Sequence, residues 1–202
     1  MSSIRPLPSE EPAPDGRVIL RGRTWWQLEA MLAIRGDDAG VRIAYLEGDL
    51  EIMSPSRTHE YVKTTIARLL EAYAEEAGIF FEGYGSLTMK NGPKERAAEP
   101  DECYVVGNRK DHPDLVIEVI WTSGGLDKHR IYAGLGVHEV WEWQNGEISI
   151  FTLREDAYLP ISRSGMLPDL DLDLLRRFID TDDQTASVRA YRKALRERSG
   201  RA

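Results

Sequence analysis

The stretch Asp114-Leu-Val-Ile-Glu-Val-Ile120 decides the fold, because it is an apolar run with a single acid, Glu118, well inside it. Such a run predicts a strand that is buried on both faces, as in a mostly parallel sheet. An ionised carboxylate in that position loses much of its hydration energy unless a cation meets it. Glu118 is therefore the first candidate for a functional residue.

Two side chains outside this run supply what Glu118 needs. Asp101 stands 17 residues upstream, after Glu99-Pro100, and Lys128 stands 10 residues downstream. Two carboxylates and a lysine can bind a divalent cation and activate water, which is the pattern of metal-dependent phosphodiester hydrolysis. The same residues also fit a buried ion pair between Glu118 and Lys128 that only fixes the geometry of the sheet. The residues alone leave both interpretations open.

Length and composition predict one globular domain with modest additions. The chain has 202 residues, of which 42% are apolar and 30% are charged, as in ordinary globular proteins. It has no apolar run long enough for a transmembrane helix, so we expect no membrane span. A single cysteine, Cys103, excludes an intramolecular disulfide and favours a cytoplasmic location.

The charge of the chain is uneven. A net charge of −8 argues mildly against a dedicated nucleic-acid binder. Residues 189–202 nevertheless carry six basic residues and one acidic residue, a local +5, which leaves −13 for the rest. This tail could contact phosphates, although such a run is also typical of a solvated helix end.

Periodicity and turn signals predict an α/β fold: a mixed β-sheet core flanked by helices, with additional β-hairpins. Helices are predicted from the capping residue Thr24 to about residue 35, and then over 58–77, 126–135, 172–178 and the basic C-terminal segment. Strands are predicted over 41–45, 50–53, 79–82, 86–90, 102–106, 114–120, 139–143, 147–153 and 158–162. Residues 121–125 are predicted to form a loop.

Aromatic and histidine residues mostly fit ordinary roles. The tryptophans are spaced as core or interface residues, but Trp121 lies on the loop between Glu118 and Lys128 and could stack on a base. His112, His129 and His138 lack the close spacing of a zinc site. The pair Gly124-Gly125 lacks the pattern of a phosphate-binding loop and is interpreted as a flexible connection.

Four blocks of sequence together resemble the Uma2 family of the PD-(D/E)XK nuclease superfamily, over about residues 20–180. They are Tyr45–Ser56 with His59, Pro100-Asp101, Pro113–Val119, and Asp127-Lys128 leading to Gly136–Trp141. The resemblance implies a restriction-endonuclease-like fold and a Mg²⁺- or Mn²⁺-dependent endonuclease that cuts DNA. The main alternative is a catalytically inactive, nuclease-like module that binds nucleic acid or a protein.

The resemblance also implies roles for individual residues. Asp101 and Glu118 correspond to the two metal-binding acids, and the backbone carbonyl of Val119 would be a third ligand. The superfamily lysine usually stands two residues after the second acid, where this chain has Ile120, and Lys128 takes its place. Lys128 would orient or deprotonate the attacking water and stabilise the charge that develops on the phosphate. Partial burial would lower the pKa of that lysine toward the working range.

Three further acids or histidines have weaker assignments. Glu60 on the helix over 58–77 could be an additional metal ligand, and His59 could occupy the same space. Asp114 also follows a proline and shares a strand face with Glu118, so it is a competing metal acid. Its place in the Pro-Asp-Leu-Val block matches a non-catalytic position of the family, which favours a role at the entry of the strand.

The domain prediction divides the chain into a flexible leader (1–19), the nuclease-like domain (20–180) and a basic C-terminal helix or tail (181–202). A homodimer is predicted from the habit of the family and from the apolar hairpin Val140–Phe151.

Overall fold

The computed structural model describes residues 14–38, 40–121 and 124–200. The helices are α1 (Trp25–Arg35), α2 (Arg57–Ala77), α3 (Lys128–Leu135), α4 (Leu172–Arg176) and α5 (Gln184–Arg198). The strands are β1 (Gly16–Leu20), β2 (Arg42–Leu46), β3 (Asp49–Ser54), β4 (Phe81–Gly83), β5 (Met89–Asn91), β6 (Arg96–Ala98), β7 (Glu102–Val106), β8 (Leu115–Val119), β9 (Glu139–Gln144), β10 (Glu147–Arg154) and β11 (Ala157–Ile161).

Two sheets organise these strands. The first has the order β1-β3-β2-β6-β5, and all its pairs are antiparallel. The second has the order β11-β10-β9-β8-β7-β4 and contains one parallel pair, β8 with β9. The predicted α/β class with a mixed core sheet, flanking helices and hairpins is confirmed. The expectation of a mostly parallel sheet is wrong, because β8 pairs in antiparallel fashion with β7.

Burial of β8 on both faces comes from layers on either side of the second sheet. On one face, Leu115, Ile117 and Val119 pack in a cluster with apolar residues of α2, α4 and α5. On the other face, Val116 packs with residues of α3 and of the first sheet. Since strand residues alternate between faces, Glu118 lies on the same face as Val116, toward α3. This alternation directs the acid of β8 toward Lys128.

Local signals explain where the main helices begin and end. Thr24 forms a capping box with Gln27 at the start of α1, and the side chain of Ser56 accepts a hydrogen bond from the backbone of His59 at the start of α2. Gly78 ends α2 in the left-handed conformation, with φ of 69°. Such caps satisfy backbone groups that the helix leaves unpaired.

The first sheet extends into the segment that was predicted as a leader. Gly16–Leu20 forms β1 and pairs with β3, and the carboxylate of Asp15 accepts a hydrogen bond from the backbone N–H of Ser56 at 2.7 Å. Residues 1–13 of that predicted leader, residues 122 and 123 of the predicted loop and residues 201 and 202 of the predicted tail lie outside the described residues.

The hairpin that suggested a dimer, β9–β10, lies inside the second sheet. Val140, Trp141 and Ile150 are each at most 2% exposed, so these apolar side chains belong to the core of this chain. The hairpin therefore no longer argues for a dimer surface. Within the described ranges, no helix combines the length and apolar character that a membrane span requires.

Candidate active site

Strand pairing brings Asp101 and Glu118 together. Asp101 directly precedes β7, and β7 pairs with β8 so that Glu102 lies opposite Ile117. Asp101 therefore stands beside the end of β8, where its Oδ2 accepts a hydrogen bond from the backbone N–H of Val119 at 2.8 Å. The other oxygen, Oδ1, is buried and has no hydrogen-bond partner among the described residues.

Helix α3 provides two hydrogen-bond donors to the carboxylate of Glu118. Lys128 opens the helix, and its Nζ donates to Oε1 of Glu118 at 3.3 Å. Tyr132 stands four residues later, hence on the same helix face, and its hydroxyl donates to the same oxygen. Burial and then the charge of Asp101 raise the pKa of Glu118, against the lowering effect of Lys128 and Tyr132. Lys128 and Tyr132 thus hold the carboxylate of Glu118 in place, but burial still disfavours its charged form.

His59 stands behind Asp101, between two carboxylates. Its Nδ1 lies 2.9 Å from Oδ2 of Asp15, and its Nε2 lies 2.9 Å from Oδ2 of Asp101, at an angle outside hydrogen-bonding geometry. Burial lowers the pKa of His59, but the two acids outweigh this effect and raise it to about 9. Burial likewise would raise the pKa of Asp101, yet His59, the N–H of Val119 and Lys128 lower it overall.

The pKa of Lys128 differs from the value expected from the sequence. Its burial would lower its pKa, as predicted, but the charges of Glu118, Glu51 and Asp101 outweigh that effect. The pKa of Lys128 is therefore raised rather than lowered. The side chain is an ammonium at neutral pH, suited to stabilising negative charge and not to accepting a proton.

Glu51 is a further acid at this site, and the sequence analysis did not identify it. It is 2% exposed on β3, and its Oε2 accepts a hydrogen bond from the N–H of Leu126 at 2.8 Å. A Cβ at Gly125 would lie only 2.8 Å from that oxygen, so Gly125 allows a close approach and is more than a flexible connection. The available signal was an acid between apolar residues of a strand, the same one that identified Glu118.

Several of these residues line an open cleft of about 290 Å³, whereas Asp101 is buried and is not part of its lining. Its lining includes Glu118, Val119, Glu51, Lys128 and Arg17, together with the loop before α3. On the cleft wall, Glu142 lies opposite Glu118 in the β8–β9 register, and its Oε1 is 2.9 Å from Nε2 of His129. His129 therefore contacts the cleft, although its spacing in the sequence predicted an ordinary surface residue.

A comparison with known families finds a family model that matches most of the chain. The model of Uma2, described as "Putative restriction endonuclease", matches residues 25–181. The chain belongs to the Uma2 family. The match covers every predicted catalytic residue, and it identifies residues 25–181 as a nuclease-like domain. No curated protein matches the chain.

Within the Uma2 domain, the two residues considered on α2 lie in different places. The carboxylate of Glu60 contacts Arg42 at 3.1 Å and Lys63 at 2.8 Å, and its side chain is 37% exposed. His59 is the one that contacts Asp101. Asp114 accepts hydrogen bonds from the N–H of Val106 at 2.9 Å and from Lys110 at 2.6 Å, as a residue at the entry of a strand does.

The donor atoms of the Uma2 site suit a hard cation in part. In the described ranges, no group of three or more His, Cys, Asp or Glu side chains is arranged to hold a metal ion. However, Oδ1 of Asp101 is a buried oxygen without a hydrogen-bond partner among the described residues, and Glu118 and Val119 both line the cleft. Mg²⁺ and Mn²⁺ prefer carboxylate and carbonyl oxygens and commonly retain several waters, so a site with few protein ligands fits them.

Proposed function

We propose that this Uma2 protein hydrolyses phosphodiester bonds in DNA with Mg²⁺ or Mn²⁺. One observation carries the proposal: the buried Oδ1 of Asp101 has no hydrogen-bond partner among the described residues, and Asp101 lies near Glu118 and Lys128, which line an open cleft. A buried carboxylate oxygen usually has a partner, and a bound cation would provide one here. The raised pKa of Lys128 adds a fixed positive charge where a phosphate would enter.

In this proposal, Asp101, Glu118 and the carbonyl of Val119 hold the cation. When bound, the ion supplies Lewis acidity and a more acidic water. Lys128 keeps its ammonium directed at the phosphate and stabilises the charge that develops there. The deprotonation of water by Lys128, which the sequence also suggested, is disfavoured by the raised pKa of the lysine.

Other side chains position these groups without touching the phosphate. The hydroxyl of Tyr132 fixes the rotamer of Glu118, and His59 with Asp15 supports Asp101 from behind. Glu51 holds the loop before α3 through the N–H of Leu126, which places Lys128 at the first position of the helix. Glu60 would enter the metal site only by leaving Arg42 and Lys63, so it is not part of the proposed ligand set.

The second candidate function is a nuclease-like module that binds without cutting. The observation that favours it is the contact of Lys128 and Tyr132 with the same oxygen of Glu118, which closes the site as a structural ion pair would. The net charge of −8 also disfavours a strong hold on DNA. A homodimer is a further proposal, supported by the family resemblance alone, and light scattering in solution would test it.

Metal binding and cleavage together test the proposed function. Mn²⁺ should raise the melting temperature of the wild-type protein, since a ligand that binds only the folded state stabilises it. Asp101→Asn should lose that shift and also lose cleavage of supercoiled, linear and single-stranded DNA, while Glu60→Gln, the matched control on α2, should keep both. A wild-type protein that cuts none of these substrates with either metal would favour the binding module.

A further inference from the structure

A second cleft opens next to the site formed by Asp101, Glu118 and Lys128, which we call the acid–lysine site. Its volume is about 700 Å³, and Ile120 lines both this cleft and the one at Glu118. The N–H of Ile120 donates to the carbonyl of Trp143 at 2.8 Å, so the extended pairing continues past the end of β8. Two residues of extended chain span about 7 Å. The two clefts therefore meet at the end of β8, where a strand that passes from one cleft to the other would turn around Ile120.

The wall of this second cleft is aromatic. Trp121 and Trp143 both line it, with ring planes 2° apart and centroids separated by 5.8 Å. Trp121 is partly exposed, whereas Trp143 is 8% exposed. Flat aromatic faces provide stacking platforms for bases of any sequence. Moreover, Nε1 of Trp143 is buried without a partner among the described residues, although a buried indole N–H usually finds one.

The rim of the second cleft is negatively charged, whereas a phosphate-binding site is positively charged. Asp180 and Asp182 are exposed carboxylates at the rim, and among the described residues no lysine or arginine lines the cleft. Carboxylates repel a phosphate but accept hydrogen bonds from exocyclic amino groups, such as N4 of cytosine. A nucleotide that spans both clefts would therefore place its phosphate toward Lys128 and its base toward the tryptophans.

We propose that the second cleft binds one unstacked nucleobase that carries an exocyclic amino group. The base belongs to a strand whose phosphate lies at the acid–lysine site, so this inference rests on the proposed function. A base inside a duplex is stacked and paired, and extracting it costs free energy. The proposal therefore names the substrate class as single-stranded or locally opened DNA.

Binding in chelator tests the second cleft without cleavage. Fluorescence anisotropy would measure labelled short strands of deoxycytidine or thymidine and a duplex of the same length. The wild-type protein should prefer the deoxycytidine strand to both others, and Trp121→Ala should weaken that binding by about tenfold, as the loss of one stacked base does. Trp26→Ala is the matched control, because Trp26 is 76% exposed on α1 and does not line the cleft.

Two further measurements keep the result interpretable. Trp121→Phe retains an aromatic face and should keep most of the binding, which separates stacking from a general loss of packing. A thermal melt of each variant confirms that it is folded. Binding by Trp121→Ala equal to wild type, or an equal loss on single strand and duplex, would overturn the proposal.

The outcome also separates this inference from the proposed function. Cleavage by a protein whose binding ignores Trp121 leaves the nuclease standing and removes the base-binding cleft. Single-strand binding that depends on Trp121, without any cleavage, would retain the base-binding cleft and remove the nuclease. A protein that binds no nucleic acid, with or without metal, contradicts both.

Discussion

At the scale of single residues, Glu118 and Lys128 differ in what their charges do to the fold. Burial and Asp101 raise the pKa of Glu118 above its ordinary 4.5, so its stabilising effect is present at low pH and is lost as the pH rises. At neutral pH the charged acid is therefore a cost. Lys128 has a raised pKa because three acids favour its charge, so at neutral pH it stabilises the fold.

We therefore expect opposite results from two substitutions in chelator at neutral pH. Glu118→Gln should leave the free energy of unfolding unchanged or increase it, because it removes a costly charge. Lys128→Met should lower it by about 3–5 kcal/mol, because Glu118, Glu51 and Asp101 lose their shared cation. Urea unfolding of both variants measures the difference. A loss in Glu118→Gln as large as that in Lys128→Met would indicate a purely structural ion pair.

Some residues of the site could be predicted from local sequence, whereas others could be recognised only from the assembled fold. Asp101, Glu118 and Lys128 were predicted because an acid in an apolar strand requires partners nearby, and all three meet in the structure. Tyr132 was missed because it looks like an ordinary helix residue until α3 packs against β8. Glu51 carries the same signal as Glu118, an acid in an apolar strand, but nothing local shows that its strand, in the other sheet, faces the same site.

At the scale of elements, the helices and hairpins with strong local signals could be predicted. The capping box at Thr24 and the left-handed glycines Gly78 and Gly136 mark helix ends that the structure confirms. Strand β6 was not predicted, because Arg96-Ala-Ala98 is short and has low β propensity. It forms because β2 and β5 pair with it on both sides, which is information that no local window contains.

Helix α5 shows where the positive charge of the C-terminal segment goes. Arg192 and Arg196 both contact Glu76 of α2, and Arg198 contacts Asp171. These arginines have acidic partners within the chain. The basic segment therefore behaves as a docked helix and is a weaker candidate for phosphate contact than its sequence suggested.

The contact between α5 and α2 should depend on pH. Arg196, and then Arg192, lower the pKa of Glu76 to about 2 against the raising effect of its burial. Its stabilising effect is therefore present above the ordinary value of 4.5 and is lost as the pH falls toward 2. Arg196→Gln should lower the free energy of unfolding slightly at neutral pH, because water screens the exposed arginine, and this difference should shrink as the pH falls toward 2.

Arg189→Gln is the matched control, since Arg189 is an exposed arginine of the same helix and changes the net charge equally. Urea unfolding at neutral and acid pH measures both variants. An equal effect of the two substitutions at neutral pH would show that net charge, and not the contact with Glu76, determines the result.

At the scale of the whole molecule, the site needs both sheets and the helix between them. The second sheet contributes Asp101 and Glu118, the first contributes Glu51, and α3 contributes Lys128. The order of these residues along the chain could be read from the sequence. Their convergence on one site could not, because it depends on how the first sheet packs against α3.

This arrangement leads to a prediction for activity in which the position of the lysine is decisive. Lys128→Ala should eliminate cleavage but retain the Mn²⁺-induced rise in melting temperature, since an ammonium is no metal ligand. Lys128→Arg should restore little activity, because the planar guanidinium needs different space from the compact ammonium. Ile120→Lys in the Lys128→Ala background should restore part of it, because Ile120 lines the same cleft and a lysine there would carry its charge to the same phosphate. Single-turnover cleavage with Mg²⁺ and with Mn²⁺ measures all four proteins. Full activity of Lys128→Ala would leave a nuclease in place but remove Lys128 from its mechanism, and the charge on the phosphate would then have to be met by the bound cation and by Arg17, which also lines the cleft.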